Sequence, residues 1–159
     1  MSDSPVEVGI VGLGGIAHHH AEQLADHSAE LVGGVDIDET ARREFREEWT
    51  VPTHDDLNAI IDEIDALLVT TPNQYHEQYA TAALAAGLDV LVEKPLAHSL
   101  ESAERIADAA ANAARFCMVG FNYRFAAPVD GLTAYRDDGR FVELTHVEAH
   151  YVRRRGIPG

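Results

Sequence analysis

Continuous apolar runs alternate along this chain with segments whose apolar positions recur every three to four residues. The first run, Val6, Val8, Ile10 and Val11, meets three glycines within four positions, Gly12, Gly14 and Gly15, before a helix-length stretch. β-Branched residues suit a pleated strand, so the pattern predicts strand, tight loop, helix. A second run, Leu31, Val32 and Val35, ends on Asp36. Residues 38–49 read as a charged helix with Phe45 and Trp49 four apart on its buried side, closed by Val51 and Pro52. An extended step at Thr53 and His54 leads to an expected N-cap at Asp55 and a helix through Ile60 and Ile61.

The run from Asp65 to Thr71 suits a central parallel strand buried on both faces and stops at Pro72. A helix from Asn73 carries Tyr79, Ala80, Ala83 and Leu84 and ends at Gly87, the expected left-handed position. The strand Asp89 to Glu93 runs into Lys94 and Pro95. Ser99 caps a helix with Leu100, Ala103, Ile106, Ala107, Ala110 and Ala114 as its stripe, and the strand Phe116 to Phe121 passes into Asn122, Tyr123 and Arg124. This alternation predicts an α/β fold, a doubly wound parallel sheet of the Rossmann dinucleotide-binding type. Ligands of such sheets sit beyond the carboxyl ends of the strands. Gly12 to Gly15, Asp36, Thr71 to Asn73 and Glu93 to Pro95 all fall at that edge.

The glycine loop has a chemical reading. Gly12 allows the tight turn, Gly14 lets backbone N–H groups approach a pyrophosphate, and Ala17 packs helix on strand. The following helix, opening with Gly15 and Ile16, offers unpaired N–H groups and a partial positive charge to phosphates. Asp36 stands at the distance where such folds hold a ribose, and its carboxylate would repel a 2′-phosphate. NAD is therefore favoured over NADP, with Arg42 and Arg43 the residues that could reach such a phosphate. Consecutive helical residues point about 100° apart, so His18, His19 and His20 do not converge on a metal and read as a solvated face.

Composition narrows the classes. The 159 residues suit one domain of ordinary size. No apolar run approaches the ~20 residues of a membrane span, and the MSDSPVEV start has no basic region that would predict a signal peptide. A single cysteine, Cys117, leaves no internal disulfide and fits a reducing cytoplasm. Twenty-seven acids against 12 Lys plus Arg give a formal charge of −15, which repels nucleic acid and anionic membranes. Lysine occurs once, at Lys94. With 46% hydrophobic residues, this acidity suggests a folded protein adapted to high salt.

Near Phe125 the pattern changes. A short helix, Pro128 to Tyr135, and a turn at Asp137, Asp138 and Gly139 precede a long β-like run from Phe141, with Val142 and Leu144 on one face and Val147 and Tyr151 on the other. It reads as the first strand of another sheet whose partners are absent. A long unpaired strand is an aggregation hazard that proteins cover. The expected organisation is a nucleotide-binding domain over 1–122 and an incomplete second domain over 123–159, the front part of a longer enzyme or a chain that covers this strand by oligomerising.

Several motifs together resemble one family: VGLGGIA at 11–17, VDID at 35–38, TPNQYH at 71–76, EKPLAHS at 93–99, GFNYRF at 120–125 and RRGIPG at 154–159. The chain resembles the Gfo/Idh/MocA oxidoreductases over essentially its whole length. The resemblance implies an NAD(P)-dependent dehydrogenase or reductase acting on a sugar, polyol or related small hydroxy compound. Lys94 would be catalytic, hydrogen-bonding the substrate oxygen beside the nicotinamide. Pro95 would fix its turn, often as a cis peptide, and Glu93 would orient the lysine or contact the cofactor. Thr71, Pro72, Asn73 and His76 would line the cofactor cleft, with Asn122, Tyr123 and Arg124 near its nicotinamide end.

Full-length members of that family continue into a domain that binds substrate, mediates homo-oligomerisation and completes the acid–base chemistry. Two other readings stay open beside the oxidoreductase: a non-catalytic or truncated NAD-binding module, and an NAD-dependent glycosidase of the same family.

Overall fold

In the computed structural model, which describes residues 4–25, 27, 29–141, 143, 145, 146, 148 and 150, six strands form one parallel sheet. They are β1 (Val6–Val11), β2 (Ala29–Val35), β3 (Thr53–His54), β4 (Ala66–Val69), β5 (Asp89–Val92) and β6 (Cys117–Val119). Four helices connect them: α1 (Gly15–Ala25), α2 (Glu39–Trp49), α3 (His76–Ala85) and α4 (Leu100–Ala113). The strand order β3-β2-β1-β4-β5-β6 reverses direction between β1 and β4, the switch point at which a doubly wound sheet opens a crevice.

Register decides what stands at that crevice. Val11 pairs with Val35 and Val69, Val69 with Val92, and Val92 with Val119. Five strands therefore end level, and the loops bearing Gly12, Asp36, Thr71, Glu93 and Gly120 leave the sheet along one edge.

Side chains alternate across the sheet. Val8, Ile10 and Leu68 pack with Ala17 and Ala21 of α1 and Phe45 of α2. Val11, Val35, Leu67, Val69, Val90 and Val92 pack on the other face with Ala80, Ala83 and Leu84 of α3 and Ile106 of α4. Cover on both faces is why the strands read as continuous apolar runs. Asp38 caps α2 through Thr40 N, and Ser99 caps α4 through Ser102 N.

Local expectations shift in four places. Asp56, rather than Asp55, is the N-cap: its carboxylate accepts Asn58 N–H at 2.9 Å, closing a side-chain turn that yields only the 3-10 turn Leu57–Ala59. Pro72 to Tyr75 form another such turn, so α3 starts at His76. The buried side of α4 is Ser102 and Ile106, flanked by Ala103, Ala109, Ala110 and Ala113, while Leu100 is 72% exposed. Alanine on both sides of that helix left its rotation open to polar contacts, and the Ser102 hydroxyl meets Ser99 Oγ and the Arg105 guanidinium. β6 is shorter than Phe116 to Phe121, both of which are exposed.

The chain divides into two units, 1–121 and 122–159. The second holds a 3-10 turn, Asn122–Phe125, and α5 (Ala127–Asp137), followed by Gly139 at φ +67°. Residues 141, 143, 145, 146, 148 and 150 belong to no strand. Val142, Leu144, Val147 and Tyr151, which carried the expectation of one, lie outside the described residues. Among the described residues no helix is long and apolar enough to cross a membrane.

Candidate functional site

The glycine loop is pinned from both sides. Gly12 has φ +91°, its N–H donates to Val35 O at 2.8 Å, and a Cβ there would lie 2.5 Å from Thr71 N. Backbone conformation and crowding both demand glycine. Gly14 and Gly15 differ, since a Cβ at either would meet nothing within 4 Å. They present open backbone at the start of α1, whose first turn has no acid to offset its positive end. Ile16, also in that turn, is 42% exposed.

Asp36 is fixed by the chain around it. Its Oδ2 accepts Leu13 N–H at 2.7 Å and its Oδ1 accepts Asp38 N–H at 2.9 Å, while Arg42 Nη1 donates to the Asp36 carbonyl at 2.7 Å. A carboxylate has about four acceptor sites, so two remain for ligand hydroxyls. Arg42 is turned to the backbone.

These loops enclose a cleft of about 780 Å³ walled by Gly12, Gly14, Asp36, Ile37, Thr71, Pro72 and Tyr79, among others. Ile37 offers it an apolar surface, 80% exposed. Burial, with the Asp36 and Asp56 carboxylates adding, pushes the Tyr79 phenol above its ordinary pKa, so it is a neutral donor. The Thr71 hydroxyl oxygen is buried and has no hydrogen-bond partner. Open backbone at Gly14 and Gly15, a half-satisfied carboxylate and an orphaned hydroxyl fit a ligand that brings phosphate and sugar hydroxyls, as a dinucleotide does.

The remaining candidates do not wall that cleft. Asn73 is exposed in the turn before α3. Lys94 and Pro95 are exposed beyond β5, joined by a cis peptide bond. Lys94 N–H donates to Glu93 Oε2 at 3.0 Å. His76 was expected to line the cleft and instead is 1% exposed beneath it. Its Nε2 lies 2.7 Å from Thr71 O and its Nδ1 3.0 Å from Pro95 O and 3.3 Å from Leu96 O. It ties the cleft wall to the Lys94 turn through backbone carbonyls. Asn122, Tyr123 and Arg124 are exposed in the first turn of the second unit.

The histidine run on α1 is not a solvated face. His18 Nδ1 lies 2.7 Å from Glu48 Oε2 and its ring packs edge-on against Phe45, His20 Nε2 donates to Glu93 Oε1 at 2.9 Å, and only His19 is exposed. The three diverge as their helical spacing requires. His20 is the residue that sequence reasoning missed. It lies three positions after Ala17 and one before Ala21, beside the buried stripe, and that adjacency was the signal.

Residues 6–121 match the model of an oxidoreductase family with an NAD-binding Rossmann fold, Gfo/Idh/MocA. Glucose-6-phosphate 3-dehydrogenase of Bacillus subtilis is 32% identical over 152 residues, which cover 95% of this chain and 43% of that protein. Inositol 2-dehydrogenase of Acidothermus cellulolyticus is 35% identical over 142 residues, 84% of this chain and 41% of that one. Among solved structures, the WlbA dehydrogenase of Bordetella pertussis in complex with NADH and UDP-GlcNAcA superposes with a TM-score of 0.83 at 28% identity, covering 89% of this chain and 42% of that chain. The chain thus spans about two-fifths of the length of these relatives.

Proposed function

The chain belongs to the Gfo/Idh/MocA oxidoreductase family, and from that premise we propose that its cleft binds the adenosine diphosphate portion of NAD(H), with Lys94 at the reacting end. The protein it serves is a dehydrogenase or reductase of a sugar, polyol or related hydroxy compound, the class to which the named substrates of its relatives belong. One observation carries this reading: Gly14, just before the open start of α1 at Gly15, and the fixed Asp36 carboxylate wall the same cleft.

In this mechanism the N–H groups opening α1 hold the pyrophosphate. Asp36 accepts the ribose hydroxyls on its two remaining sites, and the Thr71 hydroxyl supplies a further polar contact. The cofactor supplies or takes up a hydride. Lys94 hydrogen-bonds the substrate oxygen, its ammonium giving a proton as the carbon is reduced and its neutral amine taking one as the carbon is oxidised. Glu93 fixes the lysine's backbone through the 3.0 Å bond to Lys94 N. NAD is preferred over NADP, because a 2′-phosphate would meet the Asp36 carboxylate and Arg42 is committed to the backbone.

Substrate recognition and homo-oligomer formation belong to the remaining length that the relatives have, with 1–122 as the cofactor domain and 123–159 opening the next one. The charge of −15 supports work in the cytoplasm of a salt-adapted cell. The test follows NADH absorbance at neutral pH with a full-length enzyme carrying these residues, presented with glucose-6-phosphate, inositols and related polyols plus NAD. Turnover of at least one, abolished by Lys94→Ala, is expected. Turnover that survives Lys94→Ala unchanged would remove the lysine from the chemistry.

A further inference from the structure

The carboxylate of Glu93 is held by two hydrogen bonds and closely approached by the backbone of a third element. Its Oε2 accepts Lys94 N–H at 3.0 Å, its Oε1 accepts His20 Nε2–H at 2.9 Å, and a Cβ on Gly120, just beyond β6, would come within 3.1 Å of Oε1. The side chains of His20 and Glu93 are only 21% and 13% exposed. Water competes weakly for such a contact, and a hydrogen bond to a carboxylate is among the stronger ones. The absence of any side chain at Gly120 is what leaves Oε1 room to meet the imidazole.

His20 lies on α1, five residues after Gly15, on the helix that begins directly after Gly14, a wall of the nucleotide cleft. A helix is stiff over that length. We propose that His20 is a positioning residue: it couples the phosphate-binding helix to the Lys94 turn through Glu93, so that a dinucleotide seated on α1 finds the lysine already in place. This rests on the reading of Lys94 as the residue beside the nicotinamide. His20 touches neither cofactor nor substrate, and acts by holding the carboxylate that holds the Lys94 backbone.

Lys94 is the chain's single lysine, so acylation by an amine-specific reagent, read by peptide mass, follows that side chain alone. The experiment measures Lys94 acylation in the 159-residue chain with no nucleotide, with saturating ADP-ribose and with saturating NADH, beside calorimetric affinities and thermal melting. In the parent protein NADH should shield Lys94 and ADP-ribose, which lacks the nicotinamide, should not. His20→Ala should keep its ADP-ribose affinity while the shielding by NADH falls about tenfold, the factor that losing a hydrogen bond to a charged group allows. His20→Gln, whose amide N–H can reach the carboxylate, should recover most of the shielding, and it serves as the readout if His20→Ala does not fold.

Undiminished shielding in His20→Ala would overturn the proposal, as would a loss of ADP-ribose affinity equal to the loss of shielding, which is what a merely structural contact gives. A parent protein that binds NADH yet leaves Lys94 unshielded would instead defeat the placement of Lys94 beside the nicotinamide, and the coupling with it.

Discussion

The two halves of the candidate site are built by different means. The glycine-loop side of the cleft over β1, β2 and β4 is set mainly by backbone geometry: a glycine at φ +91°, two glycines whose Cβ positions are open, and backbone N–H groups of Leu13 and Asp38 that lock the Asp36 carboxylate. The Lys94 turn beyond β5 is made of side chains from distant helices, His20 on the Glu93 carboxylate and His76 on the carbonyls of Pro95 and Leu96. Backbone sites of this kind tolerate little change. Side-chain sites depend on partners 19 to 73 positions away and can be retuned without disturbing the fold.

Substitutions should separate the halves. The largest effect falls on the turn: Lys94→Ala in a full-length enzyme should lower kcat by about a hundredfold to ten-thousandfold while calorimetry finds NADH affinity little changed. Within the cleft, Gly12→Ala must force an L residue into a left-handed conformation and drive a Cβ against Thr71 N. Chemical denaturation should show a loss of about 3 kcal/mol or more. Gly14→Ala is the contrasting probe, with a stability change below about 1 kcal/mol and a clear fall in nucleotide affinity, because its Cβ would occupy space meant for the ligand.

Outside the contacts of both halves, Glu77 on α3 pairs with Arg105 on α4, one arm of the pair closing at 2.9 Å. The Arg105 and then the Ser102 hydrogen bonds bring its pKa down from 4.5 to about 2. A carboxyl with a depressed folded pKa stabilises the fold above its unfolded pKa, and that contribution is lost as pH falls from 4.5 toward 2. Arg105→Leu should flatten the stability profile in that window and leave nucleotide binding untouched. A pair this open to solvent gives the smallest effect of the series, smaller still in concentrated salt.

The same contrast explains what was legible in the sequence. β-Branched runs, the glycine loop and the acid at Asp36 act through local backbone chemistry, and they located the sheet, its loop edge and the cleft. His76 looked like a cleft residue because its motif adjoins Thr71 and Pro72, yet the polypeptide turns it inward, where carbonyls from two loops need a donor. His20 looked solvated because its place beside Ala17 and Ala21 hints at burial without naming a partner, and Glu93 arrives 73 positions later. On α4, Ala107 and Ala110 are equally apolar, so composition alone does not say that Ile106 and Ser102 turn inward with Ala110 beside them while Ala107 faces out.

The proposed NAD(H) site rests on Asp36 and on the glycine loop that leads into α1. The most direct measurement is a calorimetric titration of the folded chain with NADH and NADPH in concentrated KCl, repeated on Asp36→Ala. The account predicts NADH binding stronger than NADPH binding, and NADH affinity weakened about tenfold to a hundredfold in the variant, as losing hydrogen bonds to a carboxylate requires. NADH affinity that Asp36→Ala leaves unchanged would contradict it.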